Sequence, residues 1–135
     1  ELGSRSISLQ FNPGLDLPLI NASQDHLQGV WLNLLINAID AIDDGPGFIS
    51  VKSSQVADSI KVSVTDSGQG IPEDQISRIF EPFYTTEVTG TGLGLYLSKE
   101  LCEANNARLS YSNDGESKFR ISLLSRPLQT FIERT

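Results

Sequence analysis

Gly90-Thr91-Gly92-Leu93-Gly94-Leu95 sets three glycines at alternate positions, and the residues after them read as an amphipathic helix through Glu103. A turn running into a helix N-terminus suits an anion. Glycine lets the backbone come close to a ligand, and the first N–H groups of a helix are unpaired and carry the positive end of its dipole. The same glycines serve equally well as a plain loop and cap, so their weight depends on the rest of the chain.

Two other glycine codes do not fit. A P-loop requires Lys-Ser or Lys-Thr after its last glycine, whereas Gly94 is followed by Leu95-Tyr96. Dinucleotide and protein-kinase loops require a glycine where Leu95 stands, and Gly68-Gln69-Gly70 has Glu73 at the equivalent place.

The chain of 135 residues is the size of one domain with its own core. Its net charge of −7 argues against a nucleic-acid or anionic-membrane surface. Polyphosphate would then be held by backbone amides and a divalent cation more than by basic side chains. Cys102 is the only cysteine, so an internal disulfide is excluded; with a single histidine beside it a zinc cluster is excluded too, and a reducing cytoplasm is the natural compartment. No apolar run approaches the ~20 residues that span a bilayer, and no signal sequence begins the chain. The absence of methionine suggests a piece of a longer protein.

Strand and helix patterns alternate. Ser6 to Phe11 and Leu17 to Ile20 read as short strands, Gln24 to about Asp43 as a long helix capped by Ser23 or Asp25, and Phe48 to Ser54 with Ser59 to Asp66 as a hairpin. Glu73 to Ile79 reads as a short helix and Gly92 to Asn105 as another. Arg108 to Asn113 and Lys118 to Leu124 form a last hairpin around Asp114-Gly115. The pattern predicts an α+β two-layer sandwich, with helices on one face of a largely antiparallel sheet.

The first helix is apolar around most of its circumference, as in a buried helix, through Val30, Trp31, Leu34, Leu35, Ile36, Ala38, Ile39, Ala41 and Ile42. Asn33, Asn37, Asp40 and Asp44 nevertheless recur at spacings of four, three and four, on one narrow stripe. For Asp40 and Asp44 a solvent-facing stripe is the plain explanation. Asparagine is less expected there, and amide oxygens facing a cavity suit a hard cation such as Mg²⁺, which needs few protein ligands beside substrate phosphates. In the second hairpin strand, Ile60, Val62, Val64 and Asp66 share one face, so Asp66 carries a carboxylate into the apolar side. Either it caps the turn at Ser67-Gly68, or it accepts a hydrogen bond from the exocyclic amine of a base in an apolar pocket.

These residues carry a family resemblance. Asn33-Leu-Leu-Ile-Asn37-Ala, Asp66-Ser-Gly68-Gln-Gly70, Phe80-Glu-Pro-Phe83 and Gly90-Thr-Gly92-Leu-Gly94-Leu95 resemble, in order, the N, G1, F and G2 boxes of the ATP-binding domain of sensor histidine kinases. The fold implied is the Bergerat ATP-binding sandwich, shared with gyrase B, Hsp90 and MutL. By resemblance, Asn37 is the Mg²⁺ ligand, Asp66 reads adenine, and Gly92 to Leu95 cradle the triphosphate, with Gly90 and Thr91 leading into them. Residues 81–91 form the ATP lid, anchored by Phe80 and Phe83. The resemblance further implies nucleotide contacts at Ala41, Gly68, Gly70, Ile71, Tyr84, Thr85 and Thr86, and at Ser117, the hydroxyl residue near the base in the last strand pair.

Hydrolases of this fold resemble the helix but place a glutamate four residues before the asparagine, to activate water. Here that position is Asn33. An amide is no general base, so the implied activity is transfer of the γ-phosphate of Mg-ATP, with Asn33 and Asn37 as the catalytic pair. The acceptor is a histidine on a separate dimerisation domain, expected upstream of Glu1. His26 lacks the surroundings of a phosphoacceptor and reads as an ordinary helix residue. The alternatives within the fold are an ATPase and a non-catalytic nucleotide-binding module.

The chain departs from the pattern at Glu87, where many relatives have lysine, at Asp40, where many have a basic residue, and at Asn105-Asn106, where a His-Gly turn is common. The run from Glu100 to Tyr111 resembles the nitrogen-regulation and pilus-regulation group of sensor kinases. That resemblance implies a response regulator, of the sigma-54 activator type, as downstream partner. It also implies a cytoplasmic domain of a protein anchored in the inner membrane. Residues 1–135 read as a single catalytic domain, with 126–135 as a tail.

Overall fold

The computed structural model describes residues 7–14, 17, 22–42, 46–84 and 93–124. In chain order these form β1 (Ile7–Asn12), α1 (Gln24–Ile42), β2 (Gly47–Val56), β3 (Ser59–Asp66), α2 (Glu73–Ile76), α3 (Gly94–Ala104), β4 (Ala107–Asn113) and β5 (Ser117–Leu124). The sheet order is β1-β2-β3-β5-β4. Only β1 and β2 run parallel; the other neighbours are antiparallel, so the two-layer α+β expectation holds. Of the proposed strand Leu17 to Ile20, Leu17 lies outside any strand and the remainder outside the described residues. The second hairpin turns at Asp114-Gly115, where Gly115 has φ +83°.

α1 begins at Ser23, whose Oγ accepts from His26 N at 3.3 Å and whose carbonyl accepts from Leu27 N at 3.1 Å. Ser23 is therefore the cap, and Asp25 sits in the first turn. The helix buries one stripe, Leu27, Val30, Leu34, Ala38 and Ile42, at helical spacing. Val30 and Leu34 are fully enclosed, each contributing about 1.5–3 kcal/mol by burial. Apolar cover of most of the circumference, read as that of a buried helix, is corrected: Ile36 is 47% exposed and Ile39 38%, because a two-layer fold offers α1 only one apolar partner face.

That partner face is built from alternate strand residues. Val64 lies opposite Val51 and Phe119, and Phe119 opposite Tyr111. α3 adds Cys102, completely buried in the same core, where desolvation pushes its thiol pKa up to about 11 and leaves it protonated.

Asn105, just past α3, fastens the two long helices together. Its Oδ1 accepts from Ser23 N at 2.6 Å, and its Nδ2 donates to Leu101 O at 2.7 Å and reaches His26 Nδ1 at 3.1 Å. His26 is thus a structural residue. Asn106 follows with φ +58°, a left-handed turn that asparagine tolerates, and the chain reverses into β4.

α2 and α3 are shorter than the pattern suggests. α2 stops at Ile76 and gives way to turns in which Arg78 N bonds Gln75 O and Glu81 N bonds Arg78 O. α3 starts at Gly94 with Leu93 as its cap residue, and Gly92 lies outside the described residues.

Candidate functional site

Asp66 ends β3 on the helix-facing side and is 4% exposed. The turn-capping reading of its carboxylate holds, and a second internal donor joins it. Oδ1 accepts from Gly68 N at 2.8 Å, closing the turn after the strand, while Oδ2 accepts from Ser117 Oγ at 3.0 Å. The β3–β5 register makes the second bond, since Asp66 and Ser117 are direct partners. Ser117 Oγ in turn accepts from Tyr111 Oη at 2.9 Å, and Tyr111 Oη accepts from Ile71 N at 2.9 Å. A relay of donors therefore runs from a loop amide through two hydroxyls and ends on the carboxylate. Burial raises the Asp66 pKa above its usual 3.8, while the Gly68 amide and the Ser117 hydroxyl pull it back.

The carboxylate opens onto a cavity of about 620 Å³ between the C-terminal half of α1 and the end of the sheet. That is the size range of small-molecule sites. Its walls include Asn37, Ala41, Asp66, Gly68, Gly70, Ile71, Tyr84, Leu95 and Ser117, all expected from the sequence. Asp40 also lines it, exposed yet on the wall, so the plain solvent-stripe explanation is incomplete for that residue. Gly68 is required by a close approach: a Cβ there would collide with the Ala41 backbone carbonyl.

Leu95 lies in the first turn of α3, so that helix starts beside the cavity. Its cap residue Leu93 makes no side-chain capping bond, and no acidic residue stands in the first turn. The leading N–H groups of a helix favour an anion. Thr85, Thr86, Gly90, Thr91 and Gly92, expected in the lid and cradle, lie outside the described residues.

Asn33 does not line the cavity. Its Nδ2 donates to Ser98 Oγ at 3.0 Å across the α1–α3 contact, and its Oδ1 lies 2.7 Å from where a Cβ on Gly94 would sit. Asn33 thus braces the start of α3, while Asn37, one turn on, faces the cavity. Phe80 is half-buried and meets Phe119 edge-on at 6.5 Å. Phe83, the other expected anchor, is 73% exposed at φ +68°, and the lid from residue 85 on lies outside the described residues. Tyr84 takes the inward place, lining the cavity with the Arg78 guanidinium 4.6 Å over its ring.

Tyr111, Asn113, Phe119 and Gln75 carry no signal of a site in the sequence. Tyr111 reads as an ordinary inward residue of β4, and only the strand register brings its hydroxyl to Ser117. Asn113 Nδ2 donates to Ile71 O at 3.1 Å and holds the loop after Gly70.

Residues 22–127 match the family described as histidine kinase-, DNA gyrase B-, and HSP90-like ATPase. The chain belongs to this family. Within this ATPase family it is similar to the sensor histidine kinase ZraS of Escherichia coli strain K12, 42% identical over 113 residues, which are 84% of this chain and 24% of ZraS. It is also similar to the sensor protein kinase PilS of Pseudomonas aeruginosa, 43% identical over 102 residues, 71% of this chain and 19% of PilS. The chain spans about a quarter or less of these relatives' length. Among solved structures, the catalytic domain of histidine kinase ThkA aligns with a TM-score of 0.75 at 28% identity, over 90% of this chain and 80% of that one. ThkA in complex with the response regulator protein TrrA aligns with a TM-score of 0.72 at 26% identity, over 91% of this chain and 35% of that one. The chain is thus an ATP-binding domain of the histidine-kinase type. No helix among the described residues is long and apolar enough to cross a membrane.

Proposed function

We propose that this domain binds Mg-ATP and transfers its γ-phosphate to a histidine on a separate dimerisation domain, for relay to a response regulator. The observation that carries the reading is that Asp66 and the start of α3 border one cavity. Asp66 retains acceptor capacity for the adenine amine, and the leading amides of α3 meet the phosphates. By the resemblance of their boxes, Thr85, Thr86 and Gly90 to Gly92 are the further phosphate contacts, and Tyr84 with Ile71 supplies apolar wall around the base.

The donor set fits Mg²⁺. Among the described residues no cluster of three or more His, Cys, Asp or Glu side chains exists to hold a metal, and Asn37 offers one amide oxygen on the cavity wall. An ion that binds mainly through phosphate oxygens and water needs no more. When bound, Mg²⁺ neutralises charge on the transferring phosphate.

The protein's own part is positioning. Asn33, held by Ser98, keeps α3 aimed at the cavity and supplies no base for water. The acceptor nitrogen therefore competes well against hydrolysis: its bond to the γ-phosphorus forms as the bond to the bridging oxygen breaks, and ADP leaves. The resemblance of the run from Glu100 to Tyr111 to the nitrogen-regulation and pilus-regulation group supports a sigma-54-type activator as the regulator that receives the phosphate, and an inner-membrane sensor as the whole protein. Incubating the chain with Mg-ATP and a separate dimerisation domain should label the acceptor histidine. Tight ATP binding without label, or steady phosphate release by the chain alone, would contradict the transfer reading.

A further inference from the structure

The sheet has a second face, turned away from the helices, and its chemistry is unlike the rest of the chain. Lys52, Ser63, Arg120 and Ser110 lie side by side in one row across β2, β3, β5 and β4. Ser54, Lys61, Ser122 and Arg108 form the next row, and Lys118 sits one row to the other side, opposite Thr65. Cations and hydroxyls thus alternate as on a chequerboard. Five of the chain's ten Lys and Arg residues are on this face, and the only carboxylate in these strands, Asp66, points the other way.

Among the described residues little relieves the repulsion this creates. Lys61 Nζ donates to Ser122 Oγ at 3.0 Å, and Lys118 lies 3.5 Å from Glu116 in the neighbouring turn. Lys52, Arg108 and Arg120 are exposed and make no ion pair among the described residues. Rows about 7 Å apart and alternate strands about 10 Å apart put the cations within one Debye length of their neighbours, so they act as one field.

We propose that this face docks on a layer of anionic lipid headgroups. It is single-signed and rich in donors that phosphates accept. Its middle offers neither the apolar core of a stable protein interface nor the aromatic platform of a single-stranded nucleic-acid site. The nucleotide cavity opens on the opposite side of the sheet and stays accessible. The net charge of −7 does not forbid such docking. Asp58, Asp114 and Glu116 rim the face in hairpin turns, and the other described carboxylates lie on or beside the helices or inside, a layer away, which is about one Debye length. Net charge counts against an anionic membrane surface only where the charge is evenly spread.

Co-sedimentation of the whole chain with vesicles of phosphatidylcholine, with and without phosphatidylglycerol, tests this. Binding is expected only with the anionic lipid and should fall with added salt. Arg120→Ala should lower the partition coefficient about fivefold. Lys99→Ala, the same change in net charge on α3, should leave it unaltered. Equal binding to both vesicle types, no binding at low salt, or equal loss in the two variants overturns the proposal. Tighter binding to polyglutamate or to DNA than to the vesicles overturns it in favour of an acidic protein or a nucleic acid.

Discussion

Asn105 and Asp66 lie near opposite ends of α1, and the contrast between their hydrogen-bond clusters separates structure from function. Both draw donors from distant parts of the chain. At Asn105 the amide is closed: both N–H groups donate within the protein, and Oδ1 accepts the Ser23 amide. At Asp66 each oxygen accepts one internal donor, from Gly68 and from Ser117, although an ionised carboxylate has about four acceptor sites. The remaining capacity faces a cavity. A polar cluster that closes on itself fastens helices, whereas one that ends on an incompletely filled acceptor awaits a donor from outside.

The sharpest way to break this contrast is Asp66→Asn. ATP affinity should fall by about tenfold to a hundredfold, the worth of a hydrogen bond to a charged group of about 1.5–3 kcal/mol, read by calorimetric titration. Melting temperature should not fall at neutral pH. Because burial raises the Asp66 pKa, its protonated form favours folding fully below 3.8, and that favour is lost as pH rises through the folded-state value. The variant's relative stability should therefore be greatest at neutral pH and shrink in acid.

Ser117→Ala touches the same cluster differently, stranding Asp66 Oδ2 and the Tyr111 hydroxyl. It should cost about 2 kcal/mol of stability in urea unfolding and raise the Asp66 pKa further. Asn105→Ala should cost about 1–2 kcal/mol yet leave ATP affinity unchanged, as expected of a closed cluster. A loss of affinity there would erase the contrast. Ser98→Ala, which leaves the Asn33 amide without its partner, should cost about 1 kcal/mol and slow phosphotransfer more than it weakens binding.

Much of this was legible in local sequence. The Asp114-Gly115 turn, the strand alternation that turns Asp66 inward and the glycine that opens α3, Gly94, each follow from residues near one another. The two clusters were not. The Tyr111 hydroxyl reaches Ser117 only through the pairing of β4 with β5, and Ser117 reaches Asp66 only because β5 lies beside β3. Asn105 finds Ser23 across 82 positions of chain. Apolar composition also misled, since it does not reveal that α1 has a single layer to pack against, leaving Ile36 and Ile39 outside.

Asp66 as the reader of the adenine amine is tested most directly by comparing ATP with inosine triphosphate, which lacks that amine, in the parent chain and in Asp66→Asn. The parent should prefer ATP by about tenfold or more, and the variant should lose most of this preference. An equal preference in both chains, or none in the parent, would contradict the assignment of Asp66.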